Sequence, residues 1–234
     1  MSERPNDSAP RPESQKPVSM KIVSLSVGLP RTVRYRDLEV TTSIFKTPVQ
    51  GPLLLRRLNL DGDYQSDLEN HGGRNKAVYA YPSKHYEFWR RELPGMDLQW
   101  SMFGENLTIE GLTEENACIG DQFRIDEAVV KVTQPRIPCY KLSVRFGRDD
   151  IVKRFLASGC SGIYFSVVEE GLVNTGDTIE RIHQDANGIS VAEINRAYVH
   201  GRDNISLLRR IVSAELLPRG MHDHFVEQLA VFER

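Results

Sequence analysis

Cysteine is scarce in this chain. Three residues, Cys118, Cys139 and Cys160, are spread through 234 positions. The number is odd, the spacings are unpaired and no C-x-x-C occurs, so neither a zinc ribbon nor a thioredoxin-type redox pair is written here, and a reducing compartment is favoured. Long apolar runs are missing too. Nothing approaches a membrane span, and the N-terminus lacks the apolar stretch of a signal peptide, which makes a soluble, cytoplasmic protein without a membrane partner the expectation. Excess charge of one sign is absent. The formal net charge of −2 leaves no basic footprint of the kind nucleic-acid binders carry. Neither G-x-G-x-x-G nor a P-loop occurs, and Ser143, Ser161 and Ser166 lack the surroundings of a nucleophile elbow. His85, His183, His200, His222 and His224 show no metal-ligand spacing and are expected at the surface.

What the chain does have is enough apolar material, 40% of residues, for a substantial core. Residues 1–18 are rich in Pro, Ser and charge and read as a disordered tail. From residue 19 to 183 the pattern is mainly β. Lys21–Val27, Leu53–Leu58, Ala77–Tyr81, Leu107–Ile109, Gln122–Ile125, Val129–Thr133, Ile163–Val168 and Thr178–Ile182 read as short strands between turn signals. Helices are expected over Lys84–Leu93 and from Asp149, as N-cap, through Ala157. This predicts a closed β-barrel with inserted helices. After the polar stretch Gln184–Gly188 the texture is helical only. Residues 188–234 read as a three-helix domain in which Ser190 and Glu193 form a capping box and Pro218-Arg219-Gly220 separates the last two helices. The apolar residues of this unit exceed what three short helices can bury among themselves. The excess must meet the barrel or a second copy of the chain, and a homodimer is expected.

Three loops carry chemistry-bearing residues. In Gln134-Pro135-Arg136-Ile137-Pro138-Cys139-Tyr140-Lys141-Leu142, two prolines stiffen the backbone and two cations flank the thiol. That is the setting of a nucleophile or of a single thiolate ligand to a soft metal. In Asn70-His71-Gly72-Gly73-Arg74-Asn75-Lys76, paired glycines allow a backbone N–H nest, and Arg74 and Lys76 add positive charge, a combination suited to phosphate. In Phe103-Gly104-Glu105-Asn106-Leu107, Glu105 and Asn106 offer donors and acceptors suited to a heterocycle edge.

Taken in order, His71-Gly72-Gly73, Phe103-Gly104-Glu105-Asn106-Leu107-Thr108, Ile119-Gly120-Asp121 and Gln134-Pro135-Arg136-x-Pro138-Cys139-Tyr140-Lys141-Leu142 resemble the MOSC domain, found at the C-terminus of molybdenum cofactor sulfurases. The likeness is to the YiiM-type subgroup, which adds a C-terminal three-helix domain. It covers Lys21 to Ile182 and, more weakly, Ile189 onward; the tail before Lys21 falls outside it. The resemblance implies a barrel that binds molybdenum cofactor (molybdopterin), with Cys139 as both the catalytic residue and the metal ligand. It implies that His71, Gly72, Gly73, Arg74, Lys76, Arg136 and Lys141 hold the anionic cofactor and that Glu105 and Asn106 face the pterin edge. Pyridoxal phosphate is not expected, because the chain is too short for the aminotransferase-like domain of the larger sulfurases.

The implied activity is reduction of a small N-hydroxylated compound, such as a hydroxylaminopurine-type base analogue, as a detoxification. The chain shows no ligand set for flavin, haem or an iron–sulfur cluster, so a separate electron-donor protein is expected. A second reading is a cofactor carrier or sulfur-transfer module without turnover of its own. A third, a helix-turn-helix module in the C-terminal helices, rests only on Arg196, Arg202, Arg209 and Arg210.

Overall fold

A computed structural model describes residues 19–66, 72–201 and 204–233. The alternating pattern of Lys21–Val27 forms β1, with Ile22 and Leu25 turned into the core. The strands that follow are β2 (Arg31–Tyr35), β3 (Leu38–Thr42), β4 (Thr47–Val49), β5 (Leu53–Leu55), β6 (Val78–Pro82), β7 (Leu107–Glu110), β8 (Gln122–Ile125), β9 (Ala128–Pro135), β10 (Ile163–Glu169), β11 (Gly171–Val173) and β12 (Ile179–His183). A 3₁₀ turn spans Arg74–Lys76. The helices are α1 (Lys84–Glu92), α2 (Tyr140–Phe146), α3 (Ile151–Ser158), α4 (Val191–His200), α5 (Ile205–Ala214) and α6 (Arg219–Phe232).

Eight strands form one mixed sheet in the order β12-β8-β9-β10-β6-β7-β1-β4. Closure of the expected barrel is not borne out: among the described residues the end strands of this sheet, β12 and β4, do not pair with each other. β4 is three residues long and carries Pro48, which cannot donate to a further strand. β5 pairs with β11 in a separate ribbon, and β2 with β3 in another. The sheet does curl. An isolated bridge joins Lys21 to Thr178, and the Ile22 amide donates to the Asp177 carbonyl at 2.9 Å. β6 and β7 are the parallel pair, and α1 forms the crossover between them.

Two apolar clusters result. One lies under the sheet and includes Val130, Phe123, Ile163 and Phe165. It continues without a break into Ile194, Leu208, Ile211 and Phe225 of α4, α5 and α6. Much of the apolar surface of the helical unit is thus taken up within the chain, while Ile205, Val226 and Val231 stay exposed. The stretch 184–188 is pinned rather than loose: the Asp185 amide donates to the Asp121 carboxylate at 2.9 Å. The other cluster is aromatic. Tyr81 stacks on Phe103 at 4.6 Å, the Trp89 indole N–H donates to the Tyr81 hydroxyl at 2.7 Å, and Phe146 and Phe155 complete the group.

Several boundaries shift from expectation. The capping box of Ser190 and Glu193 is present. α3 is preceded by Asp150 rather than Asp149, because Asp149 turns outward to Tyr35 and Arg36. α6 starts at Arg219, so Pro218 acts as its N-cap position and Arg219 and Gly220 are helical. No helix among the described residues is long and apolar enough to cross a membrane.

Candidate functional site

The Pro135–Cys139 segment leaves the end of β9 and enters α2. Cys139 occupies the N-cap position with extended backbone angles, φ −127° and ψ 178°. Its side chain is partly buried on the wall of a cavity of about 90 Å³ that opens to solvent. The prolines hold this approach extended, and Gly147, at φ 62°, ends α2 in the left-handed conformation that glycine adopts most cheaply.

Four cations share the cavity wall: Lys46, Lys76, Arg136 and Lys141. Asp63 is the one acid among the described residues of the wall, and Lys46 pairs with it. Its carboxylate also accepts from the Gly28 amide at 2.8 Å and the Asn106 side-chain amide at 2.9 Å. Burial holds the Lys46 ammonium below its usual pKa, against the opposing pull of Asp63.

Arg136 is 7% exposed. One guanidinium nitrogen donates to the Phe103 carbonyl, and the guanidinium lies 4.8 Å from the Tyr79 ring centroid. Burial works against its charge, but Tyr79, Tyr164 and Cys139 outweigh that and hold it protonated. Arg136 thus ties the Phe103–Asn106 loop to the cysteine loop.

The expected residues do not all converge. Cys139, Lys76, Arg136, Lys141 and Asn106 line the cavity. Asn106 does so with its amide committed, donating to Asp63 and to the Ser26 carbonyl and accepting from the Tyr79 amide. Gly72, Gly73 and Arg74 lie on a neighbouring chamber described below. His71 falls outside the described residues.

Glu105 requires correction: it is fully buried and does not line the cavity. Its carboxylate accepts from the Ser101 amide at 2.9 Å, the Phe103 amide at 3.2 Å, the Thr108 hydroxyl at 3.1 Å and the Tyr86 hydroxyl. Burial raises its pKa and these donors oppose the rise. Glu105 is the peg around which its own loop winds.

His85 also departs from expectation. It lies on the inner side of α1, its Nε2 2.8 Å from Glu114, rather than at the surface. Burial disfavours its charge, yet hydrogen bonds with Cys160 and Glu114 raise its pKa to about 9.

Sequence reasoning missed Lys46, Asp63, Thr42, Ser43, Tyr79 and Tyr164. Lys46 reads as one more surface lysine and Asp63 as part of an Asp-Gly-Asp turn. The available hint was Lys46-Thr47-Pro48-Val49, a cation opening a short proline-bearing strand.

Comparison with known proteins agrees with this arrangement. The MOSC domain family matches residues 67–180, and the YiiM-like, 3-alpha helix domain matches residues 189–232. Uncharacterized protein YflK of Bacillus subtilis is 44% identical over 88% of this chain and 93% of its own length. The chain belongs to the MOSC-domain family. Protein YiiM of Escherichia coli is 37% identical to this MOSC protein over 74% of the chain and 78% of its own length. A reductase of Gibberella moniliformis is 31% identical over 81% of the chain, which spans 33% of that larger protein. The crystal structure of YiiM from Geobacillus stearothermophilus matches with a TM-score of 0.75 at 35% identity, covering 90% of this MOSC protein and 99% of that chain. YiiM from Escherichia coli gives 0.73 at 28% identity over 92% and 94%. The helix-turn-helix reading loses its support in this setting. Arg196, Arg209 and Arg210 pair with Glu115, Glu233 and Glu193, and Arg202 lies outside the described residues.

Proposed function

We propose that this MOSC protein binds molybdenum cofactor in the Cys139 cavity and reduces N-hydroxylated compounds. The observation that carries the reading is a single thiol on a wall with four cations and one acid that is already paired. The donor set fits the group. No cluster of three or more His, Cys, Asp or Glu side chains able to hold a bare metal occurs among the described residues. A metal at Cys139 must therefore bring most of its ligands with it, as a dithiolene-bound molybdenum does, and a soft thiolate suits it.

Cys139 would supply the protein's ligand, and Lys46, Lys76 and Lys141 the counter-charges for the cofactor's phosphate. Arg136 positions the thiol by clamping its loop to the Phe103 carbonyl. When bound, the cofactor supplies two-electron chemistry at an oxygen atom. In the net reaction the N–O bond breaks, an N–H bond forms and the oxygen leaves as water. Two protons and two electrons are consumed, the electrons coming from a separate donor protein. The reductase named among the relatives supports the oxidoreductase class.

The test uses protein made in a cofactor-competent host, with molybdenum analysis, pterin fluorescence and an N-hydroxy reduction assay. Cys139→Ser should lose the reduction and keep the melting temperature, whereas Cys118→Ser and Cys160→Ser should keep most activity. Full activity in Cys139→Ser would sink the reading. Cofactor bound without any reduction would favour the carrier role.

A further inference from the structure

A second chamber of about 550 Å³ lies beside the Cys139 cavity. On one side it is walled by Gly72–Lys76 and by Gln134 and Ile137 of the cysteine loop. On the other stand Tyr198 of α4 and residues 218–221 and 224 at the start of α6. Lys76 and Tyr164 line both cavities, so the chamber adjoins the thiol pocket. Its chemistry is one-sided. Arg74, Lys76 and Arg219 bring three cations, and none of the described residues that line it is acidic. Arg219 reaches an acid only at 3.6 Å, the exposed Asp223 on its own helix.

Aromatic surface stands opposite these cations. The rings of Tyr198 and His224 lie 4.7 Å apart, and Gln228 Nε2 sits 3.0 Å from His224 Nε2, holding that ring in place. Nothing lies within 4 Å of a side chain built on Gly73 or Gly220, so the backbone on both walls is open to a ligand.

We infer that this chamber binds a nucleoside phosphate, with the phosphate on Arg74 and Arg219 and the base against Tyr198, His224 and Tyr164. A free base carries no charge to match three gathered cations, whereas a nucleotide offers both a π-face and an anion. The cations thus argue for phosphorylated over free-base ligands. The inference deepens the proposed function, since it names what reaches the Cys139 pocket, and it rests on that reading for its catalytic meaning only. Two sources supply a nucleoside phosphate: the substrate itself, and a nucleotide arm carried by the cofactor.

Isothermal titration calorimetry of the full chain with adenosine 5′-monophosphate and with adenosine tests this without requiring any cofactor. The monophosphate should bind roughly tenfold or more tightly than adenosine. Arg74→Ala and Arg219→Ala, both at exposed residues, should each weaken it by roughly tenfold and leave adenosine unchanged. Lys141→Ala should have no effect on either ligand. Acid release of a nucleotide from cofactor-loaded protein would assign the chamber to a cofactor arm; monophosphate binding to the loaded protein would assign it to substrate. Equal affinities, no binding, or a loss that follows Lys141→Ala instead of Arg219→Ala would overturn the inference. Failure of the molybdenum reading would show separately, in metal and pterin analysis.

Discussion

Replacing Asp63 with Asn should be among the most damaging conservative changes in this protein. Lys46 and Asp63 face each other with side-chain exposures of 9% and 2%. Asn keeps the shape and one acceptor for the Gly28 amide, but it leaves the Lys46 ammonium buried without its counter-charge. Breaking one side of a buried pair costs about 3–5 kcal/mol. For a chain of this size each kcal/mol moves the melting temperature by about 2–4 °C, so a fall of roughly 6–20 °C is expected. Lys46→Met should cost less, because the Asp63 carboxylate keeps the Gly28 and Asn106 donors. The double variant Lys46→Met/Asp63→Asn buries no charge and should recover about 2 kcal/mol relative to the sum of the singles. Urea and thermal melts of the four proteins close this cycle. Single costs below about 1 kcal/mol that add within about 0.5 kcal/mol would refute the buried pair.

Other expectations follow from the same geometry. Glu105→Ala should destabilise by about 3 kcal/mol or more, since the Ser101 and Phe103 amides and the Tyr86 hydroxyl lose their acceptor; a fully stable variant with altered cofactor affinity would return Glu105 to the cavity wall. His85, with a folded pKa of about 9, contributes stability that is fully present below its unfolded value near 6.5 and is lost as pH rises through 9. The loss should be on the order of 2–3 kcal/mol, and denaturant melts of His85→Gln between pH 6 and 10 should lack that decline. Lys76→Ala and Lys141→Ala should each weaken cofactor retention roughly tenfold, more at low salt than at high, as read by pterin released on dialysis. Deleting residues 188–234 should give aggregating protein by light scattering, because it strips cover from the core shared with Ile119 and Val130; a soluble, active truncation would contradict that shared core.

Strand positions were legible wherever alternation was clean, as in Lys21–Val27 and Gln122–Ile125. The capping box at Ser190 was legible because its signal is local. Barrel closure was not, because it depends on which edges find partners, and Pro48 on a three-residue strand is a small cue for so large an outcome. α2 escaped notice because two prolines precede it and dominate the reading of the segment. In the site, Cys139, Lys76, Arg136 and Lys141 stood out through their own loops. Lys46 and Asp63 did not, since what makes them notable is burial beside one another across 17 positions of chain, and burial of that kind is a tertiary property. Glu105 misled for the same reason: a carboxylate in a glycine loop looks available until the loop is seen folded around it.

The place of β1 bears on how the protein is made. It lies between β7 and β4 and bridges to Thr178, so β4 can pair with it early, whereas its other neighbours exist only once residues near 110 and then near 178 have been made. Contacts so distant in sequence form slowly, after the loop-closure entropy has been met. The thiol pocket needs Tyr164, and its neighbouring chamber needs Met221 and His224, so neither is present on a half-synthesised chain. Whatever fills these cavities is loaded only after residues beyond 220 have been made, and β1 waits with one edge open until β7 exists.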